Sequence, residues 1–306
     1  MSVFHEGERM VQQRIGVQAT ADSIGRMVQP FIPQGFDLFL EQQSIVVIAS
    51  TDSTGSLWAS LITGYPGMIQ VKDPKTIEIC TQFVLQDPFI SNIKHNGNVG
   101  LIVIDFEHQI RVRVNGNAEF TDENALRVDV EQIYGNCPKH IQMRSLTPID
   151  RRLGPVQTFG RLGILTPEQN RWIREADTFF IASSGPEGKT DASHRGGNPG
   201  FIKMLDDDAL VFPDYRGNML FNTLGNIQIN PNTGILFLDF NMGRTLQLTG
   251  RSSIVWEVSG EEKLRFPGAQ RLVEFRINGV IQTENVIPFD WNFLGYSPYN
   301  PSSPII

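Results

Sequence analysis

Residues able to grip a phosphoryl group crowd into one stretch of this chain. Ser193, His194 and Arg195 run directly into Gly196 and Gly197, within the glycine-rich segment 191–201. Successive glycines let backbone N–H groups turn toward an anion. The planar fork of an arginine donates two parallel hydrogen bonds to it. A glycine-rich hairpin with solvated charges has the same composition, and this stretch alone does not separate the two readings. Further along, Asp214, Tyr215, Arg216 and Asn218 lead to Asn222 and Thr223. These place donors at a strand end and around a helix start, which is itself an anion site. Asn and Thr also serve there as ordinary caps.

The elements that must position these groups occur twice. Ile48, Ala49 and Ser50 stand 133 residues before Ile181, Ala182 and Ser183, and Gly55 before Gly188. Ala59, Ser60, Gly64, Pro66 and Gly67 match Ala192, Ser193, Gly197, Pro199 and Gly200 at the same offset. A one-residue insertion then shifts the frame to 134. In that frame Asn92, Ile93, Asn96, Gly100, Asp105, Phe106 and Gly116 match Asn226, Ile227, Asn230, Gly234, Asp239, Phe240 and Gly250. Identities in order, with glycine and proline at the same turns, mark a duplication.

The copies share a scaffold but not charge. Leu61 and Ile62 stand where the second copy has His194 and Arg195. The stretch 79–87, roughly opposite the second basic cluster, has no arginine.

Each copy reads mostly as strands. Apolar runs rich in Ile, Val and Phe predict strands over 44–50, 100–106, 178–183 and 234–240. Alternation predicts strands over 111–114 and 245–249. Helical spacing predicts helices over 87–95 and 218–229, and two more over 4–17 and 123–134. Segment 144–163, with its prolines and glycines, reads as a linker. The tail from Tyr296 reads as extended. The divisions are therefore a helical segment (1–36), a first repeat (37–143), a linker (144–170), a second repeat (171–295) and a tail (296–306). Many short strands with one helix per copy indicate a mainly β fold of two small barrels.

Composition narrows the function. The chain has 306 residues, is 40% hydrophobic and 19% charged, and carries a net charge of −7. That balance disfavours nucleic-acid binding, which needs clustered Lys and Arg. No apolar run reaches membrane-spanning length. The early charged residues His5, Glu6, Glu8, Arg9 and Arg14 interrupt any signal-peptide core. Two lone cysteines, Cys80 and Cys137, suit a reducing, cytoplasmic compartment. Other candidates weigh less. His5 with Glu6 and Glu8 could line a site edge. Cys137 reads as a packed thiol. Asp206, Asp207 and Asp208 read as a solvated turn. Ser60 and Ser193 have no triad partner at a recognised spacing.

The order of a loop arginine, a strand, an aromatic strand end, an Arg- and Asn-rich turn, a helix, and Asn230 and Pro231 before an apolar strand resembles a known family. It is similar to the pyridoxamine 5′-phosphate oxidase-like family of FMN-binding split barrels. Residues 4–8 and 135–142 resemble stretches of a two-repeat, flavin-nucleotide-binding branch. The resemblance extends over nearly the whole chain and is strongest over 178–251. It implies two tandem split β-barrels forming an intramolecular pseudo-dimer, with FMN in the crevice between them. The phosphate would fall to Arg195, Arg216, Asn218 and Asn222. Ser193, His194, Gly196, Gly197, Asp214 and Tyr215 complete the implied set. The first copy would cover the ring system through Arg111, Arg113 or the helix over 87–95.

The chain also departs from that pattern. Asn218 and Asn222 stand where the oxidase has an Arg-Lys or Ser-Lys pair. Residues 290–293 stand where it has a substrate-binding Arg and His, which speaks against oxidation of pyridoxamine phosphate. The resemblance implies an oxidoreductase with one flavin per chain, served by NAD(P)H or a partner flavoprotein, with a homodimer open. A flavin carrier or sensor, a cofactor-free interaction module, and a barrel holding haem or a deazaflavin are the competing readings.

Overall fold

The structure is a computed structural model that describes residues 2–149 and 154–302. Three helices lead in: α1 (Glu6–Ile15), α2 (Gln18–Gly25) and α3 (Phe36–Glu41). His5 caps α1, and Glu8 reaches back to complete a capping box. Gly16, at φ 77, ends the helix in the left-handed conformation that glycine adopts without strain.

The first repeat follows with β1 (Ile45–Thr51), β2 (Leu57–Thr63), β3 (Ile69–Asp73), β4 (Thr76–Ile79), α4 (Pro88–His95), β5 (Asn98–Asp105), β6 (Ile110–Phe120) and β7 (Leu126–Gly135). Between the repeats come β8 (Met143–Pro148), β9 (Gln157–Leu162) and α5 (Pro167–Glu175). The second repeat has β10 (Thr178–Ser184), β11 (Thr190–Gly196), β12 (Lys203–Asp206), β13 (Ala209–Asp214), α6 (Asn222–Ile229), β14 (Asn232–Asp239), β15 (Arg244–Val255), α7 (Gly260–Arg265) and β16 (Arg271–Glu284). β17 (Phe289–Gly295) closes the chain and pairs with β8.

The duplication is literal in topology. One sheet runs β2-β1-β5-β6-β7-β4-β3, and the other runs β11-β10-β14-β15-β16-β13-β12 in the same order. Neighbouring strands are antiparallel, and neither path closes into a barrel among the described residues. The mainly β fold of two tandem split-barrel units, paired within one chain, is therefore present.

Burial explains the apolar runs. Val46, Ile48, Leu101 and Val103 point into the core of the first repeat. Their alternate neighbours Ile45, Val47, Ala49, Ile102 and Ile104 point the other way, into a seam shared with Phe180, Ala182, Leu236 and Leu238. These strands are buried on both faces, so they lack polar alternation. Each fully buried Ile, Leu or Phe contributes roughly 1.5–3 kcal/mol relative to exposure, so this seam holds the repeats together. Close approach there demands glycine. A Cβ on Gly100 would stand 2.5 Å from the Asp191 Cα, and one on Gly234 would stand 2.5 Å from the Leu57 carbonyl oxygen.

Several expectations change. Residues 123–134 do not form a helix; most of them lie in β7. Leu126, Val128 and Val130 are buried while Arg127, Asp129 and Glu131 are exposed, a strand period of two. Where it is described, the segment 144–163 carries strands. Residues 143–148 pair with β17, and 157–162 extend the second sheet beside β16. Residues 150–153 and 303–306, with parts of the linker and tail readings, lie outside the described residues. The glycine-rich segment opens as strand β11, so Ser193, His194 and Arg195 are strand residues paired with β10.

Candidate functional site

Both repeats build one cleft. From the second come β11, the end of β13, the turn after it and the start of α6. From the first come β6 and residues 136–140. The cleft is open to solvent.

Arg113, from β6, crosses the seam. Its guanidinium donates to the Tyr134 Oη at 3.1 Å, the Asn222 Oδ1 at 3.1 Å and the Ser193 Oγ at 2.6 Å, and lies 3.0 Å from the Asp191 carboxylate. Thr223 and Ser193 share a hydrogen bond of 2.9 Å. Arg111 Nη1 donates to His194 Nδ1 at 2.7 Å. That bond assigns the proton of His194 to Nε2. Burial first, then Arg111 and Arg195, holds the imidazole well below its usual range, so it is neutral near pH 7.

Three guanidinium groups, of Arg111, Arg113 and Arg195, therefore converge with too few anions. Burial, then Arg113 and Arg195, brings Arg111 down to about 9. Burial also lowers Arg195. Arg113 goes the other way: burial opposes its charge, but Asp191 and Tyr134 more than compensate. The unmet need is visible atom by atom. Arg111 Nε, Arg113 Nε, Arg195 Nε, His194 Nε2 and Asn136 Nδ2 are buried without a partner among the described residues, and all five belong to this cleft. Buried donors normally find acceptors.

The start of α6 adds to the deficit. Its N-cap is Phe221, at φ 63, with no side-chain cap. Met219, at φ 62, is also left-handed. Such strain in residues other than glycine clusters at functional sites. The N–H groups of the first turn are thus left for a ligand.

The matching place in the first repeat carries a carboxyl group and no arginine. Asp87 stands where Phe221 does and caps α4, accepting from the Phe89 N–H at 3.1 Å. Burial pushes its carboxyl up to about 6, against hydrogen bonds from Ser60, Phe89 and Gln247. Gln247 stands where Arg113 does, and donates to the Ser60 Oγ at 2.9 Å. Other equivalences are purely structural. Asn92 donates to Ser50 at 3.0 Å, as Asn226 donates to Ser183 at 2.9 Å.

Among the residues singled out from sequence, Ser193, His194, Arg195, Gly196, Asp214, Tyr215, Asn218 and Asn222 line this cleft. Asp214 is already paired with Arg271 at 2.8 Å. Tyr215 stacks on His140, ring centroids 4.8 Å apart. Asn218 donates to the Asn136 Oδ1 at 3.0 Å. Gly197 does not cradle an anion through its own N–H, which donates to the Asp177 carbonyl at 3.0 Å. Gly196 permits close approach, because a Cβ there would collide with the His140 carbonyl oxygen. Arg216 is exposed and faces a separate shallow cleft with Val17, Gln270 and Arg271. The wall formed by Asn136, Lys139 and His140, and the Arg113–Asp191 pair, escaped sequence reasoning. The signal for the pair was the unequal match of Arg113 with Gln247.

Helix α1 packs on α6, beside the cleft. Asn222 donates to Glu8, His5 Nε2 lies 2.8 Å from the Asn226 Oδ1, and the His5 N–H donates to Glu8 at 2.9 Å. Burial pushes Glu8 up to about 7. No cluster of His, Cys, Asp or Glu suited to a metal occurs among the described residues. Among those residues no helix is long and apolar enough to cross a membrane.

Comparison with known proteins matches the chain to the family described as pyridoxamine 5′-phosphate oxidase, over residues 32–157 and 165–286. None of the curated proteins matches it. Solved structures align with one repeat's worth of chain. HupZ of Group A Streptococcus is 13% identical, with 38% of this chain and 92% of that chain covered and a TM-score of 0.32. An FMN-binding protein of Syntrophomonas wolfei is 11% identical, with 38% and 84% covered and a TM-score of 0.30. A FAD-binding protein of Mesorhizobium loti is 14% identical, with 42% and 97% covered and a TM-score of 0.28.

Proposed function

The chain belongs to the pyridoxamine 5′-phosphate oxidase family, and from that premise we propose that it is a flavoprotein holding one FMN in the cleft between its repeats. The observation that carries this reading is the set of buried, unpartnered donors on Arg111, Arg113, Arg195, His194 and Asn136. An anion with several acceptor oxygens satisfies such a set, and a phosphate monoester brings them.

Arg195 and the uncapped start of α6 would hold the phosphate. Arg113, fixed by Asp191, Ser193 and Asn222, would hold charge across the seam. Arg111 keeps His194 in the tautomer whose Nε2–H faces the ligand set. When bound, the flavin supplies hydride or electron transfer, and the protein positions and tunes it. The electron donor in this reading is NAD(P)H or a partner flavoprotein, and the compartment is the cytoplasm.

The test is optical. Protein purified with its cofactor is yellow, with flavin absorption bands, and anaerobic NADH bleaches them if it is an oxidoreductase. Arg195→Ala loses the colour while keeping the parent circular dichroism. A variant with full flavin content would refute the assigned site.

A further inference from the structure

A second cleft, lined by Arg144, Trp172, Thr178, Phe240, Trp291 and Phe293 among others, lies between α5, β10, β14 and the paired strands β8 and β17. It encloses about 1180 Å³ of space open to solvent. Phe106 separates it from the arginine cleft. Its ring centroid lies 5.8 Å from Phe240 and 5.4 Å from Trp291, and 6.3 Å from His194 on the other side.

The polar groups here are also incomplete. The Arg144 side chain is more than nine-tenths buried and pairs with Asp177 at 2.5 Å through Nη2. Its Nη1 is buried without a partner among the described residues, as are the Thr178 Oγ1 and the Trp291 Nε1. Each buried donor left unmet is destabilising. Three on one cleft are a standing cost that a ligand bearing acceptors removes.

The walls say what else the ligand carries. The Arg144 Cζ lies over Phe240, 3.9 Å from the ring centroid, and 5.3 Å from that of Phe293. Arg244 lies 4.9 Å from the Trp172 ring. Guanidinium groups over aromatic rings make a wall that suits a planar ring.

We propose that this cleft is a second ligand site, separate from the flavin site, for a small aromatic carboxylate. The carboxylate accepts from Arg144 Nη1, Thr178 and Trp291, and its ring packs among Phe240, Phe293 and Trp172. The site stands whether or not the other cleft holds flavin.

Calorimetric titration of the full chain with benzoate tests this, with benzamidine as the control of the same shape and opposite charge. Benzoate binds saturably at one site and benzamidine does not. Thr178→Val deletes an unpartnered donor at constant shape and leaves the ligand-free protein as stable as the parent or more so, whereas Trp291→Phe also thins an indole packed on Phe106 and Phe240 and lowers stability. Both leave flavin content unchanged and weaken benzoate binding about tenfold, or about 1.4 kcal/mol. Absence of saturable benzoate binding, equal binding of benzamidine, or undiminished binding by both variants overturns the proposal.

Discussion

Arg113 shows how one side chain ties the site together. It is buried, it belongs to the first repeat, and its partners Asp191, Ser193 and Asn222 belong to the second. Replacing it by the glutamine found at the equivalent position 247 leaves Asp191 as an unpaired buried charge. Arg113→Gln is therefore destabilising by about 3–5 kcal/mol in urea unfolding. Adding Asp191→Asn restores most of that loss but not flavin binding, so the two variants separate scaffold from ligand contact. Glu8 gives a pH signature. Its folded pKa of about 7 lies above its ordinary 4.5, so the folded state keeps a proton that the unfolded state releases. This contribution is fully present below pH 4.5 and is lost as pH rises through 7, by up to about 3 kcal/mol. Glu8→Gln flattens that part of the stability profile; an unchanged profile excludes Glu8 as its source. Arg195, His194 and Ser193 were legible because their types suit an anion. Arg216 lines a different cleft, because a turn decides which way its side chain leaves the strand, and composition does not encode that direction.

At the scale of elements, the two helix starts differ most. Asp87 caps α4, whereas α6 begins at an uncapped Phe221. Asp87→Ala therefore lowers stability by about 1–2 kcal/mol, seen as a fall in Tm, and leaves flavin content unchanged. A loss of flavin would show that the first-repeat pocket is also in use. The double burial of β1, β5, β10 and β14 was readable as continuous apolar runs. Strand β7 was not, because Ala125, Leu126, Val128, Val130 and Ile133 also fit a helical stripe when the charged residues between them are ignored. Strands β8 and β9 were hidden by their proline and glycine content, and what makes them strands is pairing with β17 and β16 far along the chain.

For the whole molecule, pairing is the premise of function. Gly100 lets β5 approach Asp191, and a side chain there has no room. Gly100→Val accordingly costs about 1–3 kcal/mol and weakens flavin retention together with stability. The internal repeat made the paired architecture legible, since both copies carry the same strand order. It also made the asymmetry legible, since Leu61 and Ile62 stand opposite His194 and Arg195. A duplicated scaffold with arginines at one place and none at its counterpart leads to a definite number. The most direct test is to saturate the full chain with FMN, remove the excess, denature it and measure flavin released per polypeptide. The account predicts one; two per chain, or none retained, would contradict it.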